Sequence, residues 1–300
     1  YEISECLVGS EMCIRDSARI VNSDQHSKDY SILADKMRPG HADYAGHVRY
    51  QGFNDYRGGG HFSGRLTAPL VFAGAVAKQA LAQYGIIVGS HILQINDIKE
   101  ERFNPMGVSD AELAELHTKK FAVMDDAVGE KMQERILQAK SELNSVGGVI
   151  EAIALHLPAG IGAPYFDSVE SMLSHALFSV PAVKGVEFGD GFGFARLTGA
   201  EANDALHYVD GKVKALTNHN GGVTGGITNG MPFVVRVAIK PTPSIAREQQ
   251  TVSLKEQADT TLAIVGRHDP CIVQRAVPVI EAVVAWTLWD LLLEAKKWEK

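Results

Sequence analysis

Apolar residues recur at spacings of three and four from Leu66 to Tyr84, where Leu66, Leu70, Ala73, Ala77, Ala80 and Leu81 share one side of a helix. Pro69 suits the first turn of that helix and Gly85 its stop. A second run of this kind covers Val273 to Trp298, with Val277, Ile280, Val284, Leu288 and Leu291 on one face. Between them the period shortens. Ile86–Ile95 is short and β-branched and predicts a strand, as do Ala182–Phe188 and Phe233–Ile239. Val149–Leu157 alternates as a half-buried strand. Ser109-Asp110-Ala111-Glu112 forms a capping box that opens a helix over 109–118. A second helix over 126–143 is expected to end at Gly147-Gly148, and a third spans Phe166–Phe178.

Polar stretches separate these elements. Ala18–Tyr56 reads as loop with little regular structure, and Thr198–Gly230 as a long glycine-rich excursion of the kind that usually carries function. Gly189-Asp190-Gly191 turns the chain, and the prolines of Lys240-Pro241-Thr242-Pro243-Ser244 stop ladder pairing after the strand that ends at Ile239. A polar turn followed by an apolar helix occurs twice, at Arg57–Tyr84 and at Gly266–Trp298. That repetition hints at internal pseudo-symmetry, although the two sequences are unlike.

Three hundred residues, 45% hydrophobic and 22% charged, are globular values. The net charge of -7 argues against a nucleic-acid partner held through many phosphates. No run of 18 wholly apolar residues suggests a membrane partner. The three cysteines are too scattered for a disulfide framework or a paired-thiolate metal site, which fits a reducing, cytoplasmic setting. Residues 1–17 have neither a helical nor a strand period, and Glu-Met-Cys-Ile-Arg-Asp-Ser resembles translated adapter sequence. They read as a non-native leader, with one domain over 18–300.

Charge is distributed unevenly. From Arg38 to Arg65 the chain carries four arginines (38, 49, 57, 65) and three histidines (41, 47, 61) against Asp43 and Asp55. This basic island contains Gly58-Gly59-Gly60, so a small anionic ligand is one reading and a plain glycine turn the other. Arg65-Leu66 stands where a P-loop needs Lys-Ser/Thr, and Ser63 stands where a dinucleotide fingerprint needs its third glycine; both motifs are excluded. His41 and His61, among arginines, are candidates for proton exchange near neutrality. Lys240–Ser244 suits either a rigid surface loop or the phosphate of a cofactor. No histidine, cysteine and carboxylate set has a metal spacing.

Taken together, RPGHADY (Arg38–Tyr44), the glycine run with Ser63 and Arg65, AVKGVEFGDGF (Ala182–Phe192), NHNGGVTGGI (Asn218–Ile227), KPTPSI (Lys240–Ile245) and GRHDPC with RAVPVIEA (Gly266–Ala282) resemble the chorismate synthase family. The resemblance covers Ala18 to Leu293. It implies an α+β fold, a β-α-β sandwich with a pseudo-duplicated core, assembled as a homotetramer. It also implies a lyase that converts 5-enolpyruvylshikimate 3-phosphate to chorismate and phosphate by 1,4-anti elimination. Reduced FMN would be the cofactor, with NADP as the associated nucleotide. A non-catalytic binding protein for a phosphorylated metabolite is the alternative.

By motif, the resemblance implies catalytic roles for His41, Ser63 and Asp269. FMN contacts would fall on His61, Phe62, Ser63, Pro181, Ala182, Gly225, Lys240, Pro241, Thr242, Pro243, Ser244 and Arg267, with Arg65 binding the anionic substrate. His61-Phe62 departs from the Arg-Ser of many relatives. The family's opening Gly-Glu-Ser-His-Gly motif is absent, so the chain is expected to lack an N-terminal segment and to be impaired as a catalyst.

Overall fold

The protein is described here by a computed structural model covering residue 20, residues 32–264 and residues 269–296; the leader assigned to 1–17, Asp24-Gln25-His26-Ser27 and Arg267 lie outside the described residues. The first half contributes α1 (Asp43–Arg49), α2 (Ala68–Ala82), β1 (Ile87–Ile95), β2 (Ile98–Lys99), α3 (Asp110–Thr118), α4 (Asp126–Ser141) and β3 (Gly148–Leu155). After these come α5 (Val169–Phe178), β4 (Val183–Phe188), α6 (Gly199–Ala202), β5 (Leu206–Val209), β6 (Lys212–Ala215), β7 (Val223–Thr224) and β8 (Ile227–Thr228). The described chain closes with β9 (Phe233–Ile239), β10 (Gln249–Ser253), β11 (Ala258–Leu262) and α7 (Val273–Lys296).

The α+β architecture centres on an antiparallel sheet in the order β2-β1-β3-β9-β4. The helices α2, α5 and α7 cover one face, where alternate residues such as Val88, Ile150 and Val235 enter the main core. On the other face α3 supplies Leu113 and Leu116, which join Phe103, Ile153, Leu155 and Val234 in a smaller cluster. Both faces are therefore covered. For that reason β3 is buried continuously from Ile150 to Leu155, where the sequence predicts a half-buried alternation.

The helix layer is held by a close crossing. A side-chain carbon at Gly74 of α2 would collide with Cα and Cβ of Ala282 in α7, so glycine lets the two helices approach to backbone contact. By length and composition α7 could cross a membrane, yet most of its apolar stretch is buried inside the protein, against α2, α5 and the sheet. It is the core helix of this domain.

Several boundaries differ from the sequence expectation for identifiable reasons. The helix α4 ends at Ser141, two residues before Leu143, which takes φ +55°. Gly147 and Gly148 instead serve the sheet, because a Cβ on either would strike a neighbouring strand's carbonyl, Ile239 or Gln94. In the expected Thr198–Gly230 loop, Asp210-Gly211 and Gly225-Gly226 have both φ values positive and close the β5–β6 and β7–β8 hairpins. The expected loop before Tyr56 contains α1, and the polar hairpin β10–β11 has no counterpart in the sequence reading.

Candidate active site

The Arg38–Asp43 turn is built around one carboxylate. Asp43, the first residue of α1, is buried and accepts from Arg38 Nε at 2.7 Å and Nη2 at 2.8 Å, in a bidentate clamp, and from the Arg38 main-chain N–H at 3.1 Å. His41 Nδ1 lies 2.5 Å from Asp43 Oδ1. Burial by itself would raise the Asp43 pKa, but the hydrogen bonds from Arg38 and His41 outweigh it and hold the carboxyl well below the ordinary aspartate range. Asp43 is therefore ionised and can only accept.

The other edge of the His41 ring faces the glycine run. Gly59 has φ +85°, and a Cβ placed there would sit 3.5 Å from His41 Nε2 and 3.7 Å from Ser63 Cβ. His41 Nε2, Gly59 and Ser63 thus share one small region. The glycines do not open α2 directly, contrary to the sequence expectation. They lie in a 3-10 turn, Arg57–Phe62, followed by a second, Gly64–Thr67, before α2 begins at Ala68. Ser63 Oγ caps the second turn by accepting from Arg65 N at 3.3 Å, which leaves its own O–H able to donate elsewhere.

The Lys240–Ser244 segment packs onto the same turn. Lys240 Nζ donates to the Gly40 carbonyl, Arg38 Nη1 donates to Ser244 Oγ at 3.1 Å, and a Cβ at Gly40 would lie 3.6 Å from Pro243 Cβ. Ser145 Oγ donates to the Thr242 carbonyl at 2.7 Å. Thr242 Oγ1 is buried without a hydrogen-bond partner among the described residues. Ala182, at φ +75°, accepts from Lys240 N at 2.9 Å, which brings Pro181-Ala182 alongside.

The remaining predicted residues are distributed less tightly. The ring of Phe62 packs on α1, where a Cβ at Gly46 would lie 2.6 Å from it, and lies 6.5 Å from the Tyr50 ring. His61 and Arg65 are exposed beside it. Asp269 sits at the Lys240 end of the sheet, since Val146 N donates to the Pro270 carbonyl at 2.8 Å. Its carboxylate accepts from Cys271 N at 3.2 Å and lies 3.2 Å from Arg275 Nε, an ion-pair distance without hydrogen-bond alignment; neither contact is with His41 or Ser63. Gly225 turns the chain between β7 and β8, in the segment whose Gly222 lies against Phe233, at the end of β9 opposite Lys240. Arg38 and Asp43 were legible in the sequence as charges of the basic island and as members of the RPGHADY motif, but no site role was assigned to either. The Arg-x-x-His-x-Asp spacing was the signal that could have singled them out.

A sequence profile described as chorismate synthase matches residues 12–293. A chorismate synthase of Pyrococcus abyssi is 46% identical over 278 residues, covering 93% of this chain and 76% of that protein. One from Thermococcus gammatolerans is 47% identical over the same shares. A solved structure, described as the crystal structure of chorismate synthase, superposes with a TM-score of 0.69 at 30% identity, covering 84% of this chain and 70% of that one.

Proposed function

Since the chain belongs to the chorismate synthase family, we propose that the cluster of Arg38, His41, Asp43, Ser63 and Lys240–Ser244 is its reaction site. The protein is a carbon–oxygen lyase of the shikimate pathway, converting 5-enolpyruvylshikimate 3-phosphate to chorismate and phosphate. The elimination removes one ring proton and expels one phosphate, so the site needs a proton-exchanging group and cations for a multiply charged substrate.

Reduced FMN is the cofactor of this reading, and the residues present suit it. Lys240 supplies a cation beside the turn, Ser244 a hydroxyl, and Thr242 Oγ1 a buried polar atom with no hydrogen-bond partner among the described residues. Lys240–Ser244 with Pro181-Ala182 would hold the flavin, with His61, Phe62 and Ser63 on the glycine side. Gly225 and Arg267 join this set only through their motifs. When bound, reduced flavin supplies electron density to the substrate without net oxidation.

His41 would exchange the proton, Ser63 Oγ would relay it, and Arg65, exposed at the rim, would pair with a substrate anion. Asp269 assists from the segment that precedes α7. A homotetramer in the cytoplasm, with NADP-linked flavin reduction, completes the reading. Side chains such as Tyr165, Phe166 and Phe192, each more than 80% exposed in the single chain, support an assembly that covers them.

The observation that carries the site assignment is His41, held by Asp43 on one edge and turned toward Gly59 and Ser63 on the other. Anaerobic assay with reduced FMN and 5-enolpyruvylshikimate 3-phosphate tests it, reading chorismate and phosphate together. His41→Ala is expected to reduce turnover by about 10²–10⁴-fold. Unchanged turnover in that variant would remove His41 from the reaction.

A further inference from the structure

We infer that Asp43 is a positioning residue that imposes the Nδ1–H tautomer on His41, so that Nε2, the nitrogen facing Gly59 and Ser63, is the one that takes up and releases a proton. The inference rests on the reading of His41 as the proton-exchanging group, and goes beyond it by fixing which nitrogen acts and what fixes it.

The argument begins with hydrogen-bond arithmetic at one carboxylate. Oδ2 of Asp43 receives two Arg38 donors, the main-chain N–H at 3.1 Å and Nε at 2.7 Å. Oδ1 receives Arg38 Nη2 at 2.8 Å and faces His41 Nδ1 at 2.5 Å. An ionised carboxylate has no proton to give. A lone pair on Nδ1 at that separation would meet the oxygen lone pairs head-on, so Nδ1 carries the hydrogen and donates it.

Arg38 Nη2 also lies 3.0 Å from His41 Nδ1 and could donate there only if that nitrogen were bare. Two observations decide against this arrangement. Nη2 already has Asp43 Oδ1 as an acceptor at 2.8 Å, and the shorter 2.5 Å contact to the carboxylate needs a proton between nitrogen and oxygen. The neutral His41 ring therefore presents a free Nε2. Arg38 anchors the carboxylate that orients the ring, and its Nη1 holds Ser244 at 3.1 Å, so the same clamp sets the spacing between His41 and the Lys240–Ser244 segment.

Substituting Asp43→Asn gives a definite expectation. The two Arg38 donors at the Oδ2 position favour the amide oxygen there, which turns the amide NH₂ toward His41 Nδ1. That nitrogen must then accept, and the ring hydrogen moves to Nε2. The neutral ring can no longer take a proton at the nitrogen facing Ser63. A wrong tautomer behind an intact geometry is a known way to lose several orders of magnitude of activity.

The test is long-range ¹H–¹⁵N correlation NMR on the full chain labelled with [¹⁵N]histidine and without flavin, the His41 signals being identified by their loss in His41→Gln. The expected result is Nδ1–H in the parent chain and Nε2–H in Asp43→Asn, accompanied by a fall in kcat of about 10²–10⁴-fold with KM little changed. An Nε2–H tautomer in the parent chain overturns the inference, and this reading stands even if Asp43→Asn does not fold. An unaltered tautomer in a folded Asp43→Asn overturns it as well. Full turnover in His41→Gln defeats the underlying site reading instead, and is distinguished because it appears in the kinetics while the parent spectrum keeps its Nδ1–H signature.

Discussion

Glu151 of β3 stands directly opposite Arg236 of β9, and Arg236 Nη1 donates to Glu151 Oε1 at 3.1 Å with both side chains buried. The row continues across the sheet, because His91 faces Glu151 and Glu187 faces Arg236 in the strand register. His91 Nε2 lies 3.1 Å from Glu151 Oε2, which also accepts from Phe103 N at 2.6 Å, and Arg236 Nε donates to Glu187 Oε1 at 2.6 Å. Basic and acidic side chains thus alternate across four strands under the α3 side of the sheet. Glu151→Ala would remove the shared acceptor of Arg236 Nη1, His91 Nε2 and the Phe103 main-chain N–H, although Arg236 keeps Glu187 and the Gly189 carbonyl and His91 keeps Glu100. Breaking one partner out of a buried ionic set costs about 3–5 kcal/mol. Urea unfolding should show a loss of that size; a loss below 1 kcal/mol (about a fivefold change in the unfolding constant) would mean that water reaches the row.

The same row makes stability depend on pH at both ends. Burial would lower the His91 pKa, but hydrogen bonds to Glu100 and Glu151 outweigh it and raise the value above that of an ordinary histidine. A raised folded value stabilises fully below the unfolded pKa of about 6.5 and is lost as pH climbs through the folded value. Glu151 runs the other way. Burial would raise its pKa, yet hydrogen bonds from His91, Phe103 N–H and Arg236 lower it, so its contribution is present above the unfolded value and fades as pH falls. Urea midpoints of the parent chain should decline on the alkaline side, and His91→Gln should flatten that limb. Parallel alkaline limbs would show that His91 does not titrate with folding.

Gly74 and Ala282 make a purely steric prediction. Gly74→Val would push two methyl groups into the backbone of α7, with an overpacking cost of about 1–3 kcal/mol. The helix propensity gained over glycine, roughly 0.3–0.5 kcal/mol, is too small to offset it. Ala282→Gly should rescue only part of the loss, because the Ala282 Cα is itself within collision range. A double variant restored to full parental stability would place the crossing elsewhere.

The strands and helices that could be read from the sequence were those whose period is enforced by one dominant neighbour. Phe233–Ile239 and the capping box at Ser109 reproduce their predicted positions because continuous burial and a local hydrogen-bond pair determine them. Gly147-Gly148 misled because a helix stop and a close strand approach use the same residue type, and only the tertiary neighbours Ile239 and Gln94 distinguish them. Asp210-Gly211 was a readable hairpin turn that the surrounding polar composition concealed. At the site, His41, Ser63 and Lys240–Ser244 were visible as motif residues. The clamp of Arg38 on Asp43 was not, because an acid among basic residues reads as a compensating charge until its two oxygens are seen to be shared.

Lys240 joins the strand β9 to the Arg38–Asp43 turn through the Gly40 carbonyl, and its ammonium is the cation of the Lys240–Ser244 segment. Lys240→Met keeps the length and apolar stem while removing the charge and three donors. A charge-assisted hydrogen bond is worth about 1.5–3 kcal/mol, so FMN affinity is expected to weaken about ten- to a hundredfold. Titration of the protein into FMN, read by flavin fluorescence, measures this directly, and far-UV circular dichroism checks that the fold is retained. The loss should shrink as salt is added, since a phosphate–ammonium contact near solvent is screened. An unchanged dissociation constant in a folded Lys240→Met variant would leave Lys240 as a structural tie to Gly40 alone and move the flavin phosphate away from this segment.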